Sequence, residues 1–422
     1  MKLNKAPRIA HGRCAALQET LLQLEVALKK VCTFEYTEEQ VCDSLFWGAC
    51  HVDCLGFPPM GKGTSSAACK ASTLAETVEW LALRCRRELP GYQRASQDNI
   101  TNALPIEKLL SHIASLTPEL LTQIKQTEAA QQWVNGYSLT TERSVKIPLE
   151  YINAISGTNG IAAGNCLEEA IVQGAYELIE RRAVITAIRN KIVFPTIDIS
   201  TIDDPAIRSQ IALLEAHGTE ITLKDLSFGG ALPSVGIYFI NHQVPDHLQA
   251  HRVFKGAACY NRQQALSSCL TEYAQVCQIG RRNHKRIQEY EHLLCDDGDS
   301  DNFLPLFWFG YLPYREADFL KEGDCIAFDN GQLSDNCLVD INQLIELFGS
   351  LGLEMLAVDL TGPVLDFPVV QIIVPGYSDI LPYHPSSSPV LLQGWTRDLP
   401  MGFCQENNQL KKCTAAELFP AW

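Results

Sequence analysis

Hydrophobic residues recur along the chain in blocks whose spacing alternates between helical and extended periods. Residues 13–31 carry Leu17, Leu21, Leu24 and Leu28 at three- and four-residue intervals, the stripe of an amphipathic helix. Residues 44–53, Ser-Leu-Phe-Trp-Gly-Ala-Cys-His-Val-Asp, read as a strand leading to the turn Gly61-Lys62-Gly63. A helix follows over about 66–87 and stops at Pro90-Gly91. A polar opening from Gln93 to Asn102 and two helical runs, 106–116 and 118–134, mark residues 92–150 as a helical insertion. From Ile155 the text Ser-Gly-Thr-Asn-Gly-Ile-Ala-Ala-Gly-Asn is a glycine-punctuated loop that opens a helix over about 166–189. Strands at 220–225 and 234–240 flank Phe228-Gly229-Gly230 as a hairpin or neighbouring pair. A helix covers about 262–279, and the later chain alternates a helix (340–350) with strands (353–360 and 368–374). No repeat or low-complexity tract interrupts the pattern. It predicts an α+β fold with mixed sheets, in which residues 1–422 form one intertwined body.

Charge and composition narrow the partners. With 34 Lys and Arg against 49 Asp and Glu, the chain carries −15 at neutral pH, which gives no general attraction to a phosphate backbone and argues against nucleic acid as a main partner. No run approaches the eighteen or so consecutive apolar residues of a membrane span. Met1-Lys-Leu-Asn-Lys-Ala-Pro-Arg8 has no apolar segment behind its charges, unlike a secretory signal. The sixteen cysteines are therefore expected as reduced thiols of a cytoplasmic protein.

The spacing of carboxylates carries the chemistry. In the helix 166–189, Glu169, Gln173, Glu177 and Glu180 fall within roughly 80° of one another at about 100° per residue. Ala170, Ile171, Val172, Ala175, Leu178, Ile179 and Ala183 occupy most of the remaining circumference. A solvated face is the ordinary meaning of such a run, but a helix apolar nearly all round is a buried one, so its acidic stripe must face inward. The helix 66–87 repeats the pattern with Ser72, Glu76 and Glu79, and the helix 262–279 with Ser268, Glu272 and Gln275. Buried carboxylates need counter-charge, which a hard cation such as Mg²⁺ supplies through oxygen ligands. Glu76, Glu79, Glu169, Glu177, Glu180 and Glu272 are the candidate metal ligands, and Glu168, off the stripe, is expected to be ordinary. So many acids would repel a nucleoside triphosphate unless Mg²⁺ lay between them. Lys62, Lys255 and Arg181 are candidate phosphate cations, and the loop ending Ala163-Gly164-Asn165 stands at a helix N-terminus, where an anion is favoured. GxxxxGK[ST] is absent, so this is not a P-loop.

Thr158-Asn-Gly-Ile-Ala-Ala-Gly-Asn-Cys-Leu-Glu-Glu-Ala170, running on to Glu177-Leu-Ile-Glu-Arg181, resembles the signature of the YcaO family. Gly61-Lys-Gly with Ala71-Ser-Thr-Leu-Ala-Glu-Thr-Val-Glu79, and Leu270-Thr-Glu272 with Gln275, resemble its other motifs. Phe228-Gly-Gly with the strand to Asn241, and Ile373-Val-Pro-Gly-Tyr-Ser-Asp379, are most similar to its stand-alone bacterial branch. The resemblance covers most of residues 44–385. It implies a YcaO-type ATP-binding fold and an ATP-using enzyme that activates a peptide backbone amide. A nucleophile attacks the carbonyl, the oxyanion takes a phosphoryl group, and loss of phosphate leaves an azoline, thioamide or amidine. It maps Ser72, Glu76 and Glu79 to a first ATP/Mg²⁺ motif, Asn165, Glu169, Glu177, Glu180 and Arg181 to a second, and Glu272 to a third. Lys62 joins the cofactor-binding set.

The chain departs from relatives at Ser268, where Arg or Gln is common, and its tail Glu417-Leu-Phe-Pro-Ala-Trp422 lacks the alternating prolines of many azoline-forming members. It also lacks the helical C-terminal extension of the stand-alone branch. No leader-binding domain fits before residue 44, so a partner protein is expected to deliver substrate or sulfur, and a homodimer is implied. A non-catalytic nucleotide-binding scaffold that docks a peptide or partner enzyme is the alternative, and small-molecule phosphorylation a third reading.

The remaining features have plainer readings. Cys50-His-Val-Asp-Cys54 has no second pair at zinc spacing, and a strand would set Cys50 and Cys54 with Val52 on one buried face. Asp296–Asp301 lacks the calcium-loop alternation and reads as a solvent loop. Arg281–Arg286 reads as a basic helix end, Cys166 as a small loop residue, and Tyr377, Tyr383 and His384 as candidate cleft residues.

Overall fold

In the computed structural model, described over residues 1–9, 12–110, 118–126, 132–148, 157–246, 250–287, 312, 317–331, 334–378, 402–406 and 409–413, the chain resolves into two compact units. Its helices are α1 (Leu17–Lys29), α2 (Ser66–Arg84), α3 (Ile106–Leu110), α4 (Pro118–Lys125), α5 (Leu167–Arg189), α6 (Pro205–Ala216), α7 (Arg262–Ile287) and α8 (Cys337–Ser350). The first strands are β1 (Phe34–Cys42), β2 (Leu45–Val52), β3 (Met60–Gly63), β4 (Gln93–Arg94), β5 (Gln132–Ser138), β6 (Arg143–Ile147), β7 (Ile161–Ala163) and β8 (Thr196–Ile197). The later ones are β9 (Thr219–Lys224), β10 (Ser234–Asn241), β11 (Arg252–Ala258), β12 (Cys325–Ile326), β13 (Leu356–Asp359), β14 (Val369–Ile373), β15 (Gly402–Glu406) and β16 (Gln409–Cys413).

One unit comprises Arg8–Thr77 and Ile179–Asp335. It holds a three-stranded antiparallel sheet, β1-β2-β3, and a five-stranded sheet ordered β11-β10-β9-β8-β12. The predicted hairpin is present as β9–β10, with Ile237 opposite Leu223 and Phe239 opposite Ile221. Every residue of β10 but the last is buried, which fits a central strand covered on both faces. Helix α7 packs on β10 and β11 and also on β2 and β3. It does so through Leu266, Cys269, Leu270, Tyr273 and Val276, all buried beside Val235, Ile237 and Phe239 in one apolar core.

The other unit comprises Met1–Pro7, Val78–Leu178 and Asn336–Trp422. Its main sheet runs β4-β5-β13-β14-β7, with β6 on β5, and β15 pairs antiparallel with β16. Strand β14 is buried throughout. Tyr176 of α5 donates its hydroxyl to Asp340 of α8 at 2.8 Å, and both residues are buried, so the buried hydroxyl has a partner. The division between units falls inside α2 and inside α5.

The mixed α and β composition agrees with the expected class. Several elements go beyond the predicted set, among them β1, α6, β11 and the short strands β4, β6, β8, β12, β15 and β16. For α6 the signal was local: Asp204 accepts the Ala206 and Ile207 N–H groups at 2.8 and 3.2 Å, and Pro205 occupies the first turn, a strong helix start. The helical run expected to reach Val134 ends at Lys125, and Gln132–Ser138 is a strand instead. There the short apolar run Trp133-Val134 is buried in β5, and hydrogen bonds to β6 and β13 override its local helical spacing.

Candidate functional site

In the first-described unit the third predicted motif meets two lysines. Glu272 stands half-buried on α7, one turn from the apolar residues that dock the helix. Lys62 of β3 ion-pairs with it and reaches Gln275 Oε1 at 3.4 Å, while Lys255 of β11 lies 3.8 Å from the other carboxylate oxygen. The flanking glycine is required: a Cβ on Gly61 would lie 2.2 Å from the Thr73 backbone nitrogen. Only a glycine lets β3 close onto α2, and this brings the Lys62 N–H to 3.5 Å from Ser72 Oγ.

The electrostatics follow from that packing. Burial alone would raise the Glu272 carboxyl, but Lys62 and Lys255, with Arg181 behind them, hold it down to about 2. Burial alone would lower Lys62, and Glu272 outweighs it, helped by Glu76 and Glu180, so the ammonium is held above its ordinary value. Lys255 goes the other way: burial lowers it more than Glu272 raises it, and neighbouring Lys62 adds repulsion. This unit therefore gathers Lys62, Ser72, Glu76, Glu180, Arg181 and Glu272 of the predicted set, with Lys255 as a further cation.

The other unit gathers Glu79, Asn165, Glu169 and Glu177 around the glycine-punctuated loop. Gly160 has φ of +80°, and a Cβ there would meet the Ile372 carbonyl oxygen at 2.2 Å, so no larger residue fits. Its N–H donates to Glu177 Oε2 at 3.1 Å, and the Ala163 N–H donates to Glu79 Oε1 at 2.7 Å. Asn165 Nδ2 donates to both oxygens of Glu169, each at 3.1 Å. The loop was expected to offer its backbone to an anion, but four of its N–H groups are already engaged. Besides those of Gly160 and Ala163, Ile161 donates to Thr158 O and Gly164 to Pro368 O. Two of those donors, Gly160 and Ala163, order the Glu177 and Glu79 carboxylates.

Helix α5 is buried nearly all round, as its composition required: Ala170, Ile171, Val172, Ala175, Leu178, Ile179 and Ala183 are at most 1% exposed. Gln173, Glu177 and Glu180 are its half-buried stripe, whereas Glu169 is fully buried. Glu168 is not ordinary. It is buried and accepts the Asn4 N–H at 2.6 Å, an acid in the first turn of a helix tying down an adjacent segment. Ser268 is exposed although it shares the stripe spacing of Glu272. Cys50 is buried but Cys54 is exposed, because β2 ends at Val52 and Cys54 sits in the turn beyond it. Tyr377 is buried, and Arg281–Arg286 continue α7; Tyr383, His384 and Asp296–Asp301 lie outside the described residues.

With this geometry in hand, the comparisons decide the family. The model of YcaO cyclodehydratases, described as ATP- and Mg²⁺-binding, matches residues 60–378. The chain belongs to the YcaO family. An uncharacterised protein of Haemophilus influenzae is 28% identical over 365 residues, 78% of this chain and 59% of that one. The ribosomal protein S12 methylthiotransferase accessory factor YcaO of Escherichia coli is 35% identical over 100 residues, 24% of this chain and 17% of its own length. The chain thus spans less than two thirds of the length of these relatives. Among solved structures, a heterocyclase in complex with substrate and cofactor has a TM-score of 0.68 at 21% identity, covering 89% of this chain and 54% of that one. YcaO from Methanopyrus kandleri, bound with AMPPCP and Mg²⁺, has a TM-score of 0.63 at 19% identity, covering 92% and 100%. These likenesses establish the fold. No helix of the described residues is long and apolar enough to cross a membrane.

ATP and Mg²⁺ are the cofactors of this YcaO fold, and the residues present fit them. Carboxylate oxygens are the hard donors Mg²⁺ takes, and Lys62, Lys255 and Arg181 are cations of the kind that face phosphates.

Proposed function

We propose that this YcaO protein uses Mg²⁺-ATP to activate a peptide backbone amide. The observation that carries the reading is Glu272 held ionised between Lys62 and Lys255, with Glu76, Glu180 and Arg181 acting on the same groups. Such a cluster keeps both signs of charge in place without large reorganisation, the preorganisation that phosphoryl transfer depends on.

Glu76, Glu79, Glu169, Glu177, Glu180 and Glu272 are the residues that would hold Mg²⁺, and Lys62, Ser72, Asn165 and Arg181 those that would orient the nucleotide. Bound ATP supplies a phosphoryl group to the amide oxygen once a nucleophile has added to the carbonyl carbon, and phosphate then leaves. Lys62 and Lys255 serve this by offsetting phosphate charge, and the helix carboxylates Glu79 and Glu177 by keeping fixed positions through hydrogen bonds from the loop backbone. The product is a thioamide or an azoline. The reading includes a separate partner protein that delivers substrate or sulfur, a homodimeric assembly and a cytoplasmic setting.

The test is ATP turnover by the full chain with candidate peptides and either sulfide or an internal Cys, Ser or Thr as nucleophile. Peptide-dependent ADP release coupled to loss of one water, or to exchange of oxygen for sulfur, supports amide activation. ADP release with phosphate retained on the product, or nucleotide binding without turnover, refutes it.

A further inference from the structure

Strand β1 lies at one end of its sheet, and among the described residues no strand pairs with its outer side. The bonding of β2 shows which backbone groups of β1 face that way. The Cys50 N–H donates to Pro59 O at 2.9 Å, in register with the β2–β3 pairing, so the backbone groups of Cys50 point towards β3 and away from β1. Tyr36 stands opposite Cys50. Opposed residues of an antiparallel pair turn their N–H and C=O groups either towards each other or both away, so those of Tyr36 point outward. By the two-residue period of a strand, those of Glu38 and Gln40 do the same, up to the register shift between Gln40 and Cys42. Among the described residues, no hydrogen bond runs from these three outward N–H groups or to their carbonyls.

This edge is long, regular and acidic. β1 runs nine residues without a proline, whereas edges closed to further pairing are commonly short, bulged or proline-bearing. From Val31 to Leu45 there is no Lys or Arg, and Glu35, Glu38 and Asp43 are exposed. Hydroxyl donors from Tyr36 and Ser66, each at 2.8 Å, hold Glu38 in place without neutralising it. Lys70 of α2 lies 5.8 Å from the centre of the Tyr36 ring, but it ion-pairs with Glu25 at 2.7 Å, so its charge is already answered. Two copies joined through this edge would set like charges against one another, which disfavours a second copy of the chain as the occupant. Glu39 stands opposite Trp47, and Trp47 opposite Lys62, so the β1 side chains at 35, 37 and 39 share the sheet face of Lys62.

We propose that the outer edge of β1 takes up, as an added strand, an extended peptide segment rich in Lys and Arg. Its backbone pairs with the outward N–H and C=O groups of Tyr36, Glu38 and Gln40, the mode of recognition by strand addition. Its cations answer Glu35 on one face of the sheet and Glu38 on the other. The added strand lies three strand spacings, about 14 Å, from β3 and Lys62, a span that about four extended residues cross. That the segment belongs to the peptide being activated rests on the amide-activation reading; the docking itself does not.

The experiment uses the full chain without nucleotide. Fluorescence anisotropy follows a labelled peptide of about ten residues alternating Lys and Thr, its Glu-for-Lys counterpart, and the Lys peptide N-methylated at its central residues. The Lys peptide should bind about tenfold or more tighter than either control, and should slow amide hydrogen exchange over residues 34–42. Gln40→Pro removes an outward N–H and no bond to β2, and should weaken binding about tenfold. Glu35→Lys should weaken it about threefold. Equal binding of the N-methylated peptide, which keeps the charge, overturns the proposal, as does unchanged exchange over 34–42 or no preference for Lys over Glu. A dimer that Gln40→Pro splits overturns it too, because a second copy then holds the edge. Should a variant fail to fold, the wild-type comparison of the Lys peptide with its N-methylated form decides. With nucleotide absent, peptide-dependent turnover can fail while docking stands, and docking can fail while turnover stands.

Discussion

Replacing Glu272 by Gln keeps the shape of the side chain and removes the negative charge that ion-pairs with both Lys62 and Lys255. In wild type the carboxyl sits near 2 instead of its ordinary 4.5, and at about 1.4 kcal/mol per pH unit this preference is worth roughly 3 kcal/mol. Taking one partner from a mostly buried pair typically costs about 3–5 kcal/mol, so the two routes agree in size. The sign fixes the pH window. A carboxyl held below its unfolded value contributes its full stability above about pH 4.5 and loses it as pH falls towards 2. Glu272→Gln has nothing to lose there. The measurement is urea denaturation of wild type and variant at pH 7 and at pH 3. The stability gap should be about 3 kcal/mol at pH 7 and shrink to roughly two fifths of that at pH 3. A gap that is negligible at pH 7, or the same at both pH values, would refute the charged Lys62–Glu272–Lys255 cluster.

Four further outcomes are expected. Glu177→Gln should abolish Mg²⁺-dependent ATP binding in calorimetric titration while circular dichroism stays unchanged, and undiminished affinity would remove the carboxylate stripe from the nucleotide site. Gly61→Ala drives a methyl to 2.2 Å from the Thr73 nitrogen and should destabilise by about 1–3 kcal/mol. Gly349→Ala, at an exposed position of α8 with nothing within 4 Å, should instead stabilise by about 0.5–1 kcal/mol, and paired thermal melts check both. Lys224 is buried, donates to Phe194 O at 3.1 Å, Thr196 Oγ1 at 2.8 Å and Glu322 O, and its ammonium is held down to about 8 by burial. Because the unfolded chain then binds the proton more tightly, wild-type stability should climb relative to Lys224→Met between pH 8 and 10.5. A flat difference in denaturation midpoints over that range would contradict it.

Much of this site was legible before any coordinates. The three acidic stripes follow from the 3.6-residue period alone, and the burial of α5 follows from the apolar residues around its circumference. Segments whose signal is local were read with little error: β9, β10, α5 and the start of α7 lie within a residue or so of their expected bounds. Where a segment's state depends on distant pairing, local reading failed. Gln132–Ser138 has a helix-compatible pattern and becomes a strand because β13, more than two hundred residues later, pairs with it. Cys54 left its expected buried face because a turn, not the strand period, sets its direction.

By itself the sequence determined the residue types, their angular grouping on helices and the signature from Thr158 to Arg181, because these depend only on neighbours within a few turns of chain. The partners were decided by tertiary structure. Lys62 and Glu272 are 210 residues apart, and they meet because α7 docks on β2, β3, β10 and β11. Gly160 and Ala163 spend their N–H groups on Glu177 and Glu79, 17 and 84 residues away along the chain. Charge interaction falls off with distance through space and is indifferent to separation along the chain. The same Glu can therefore be read from the sequence as an acid, but only the packed structure decides which cation or amide it answers to.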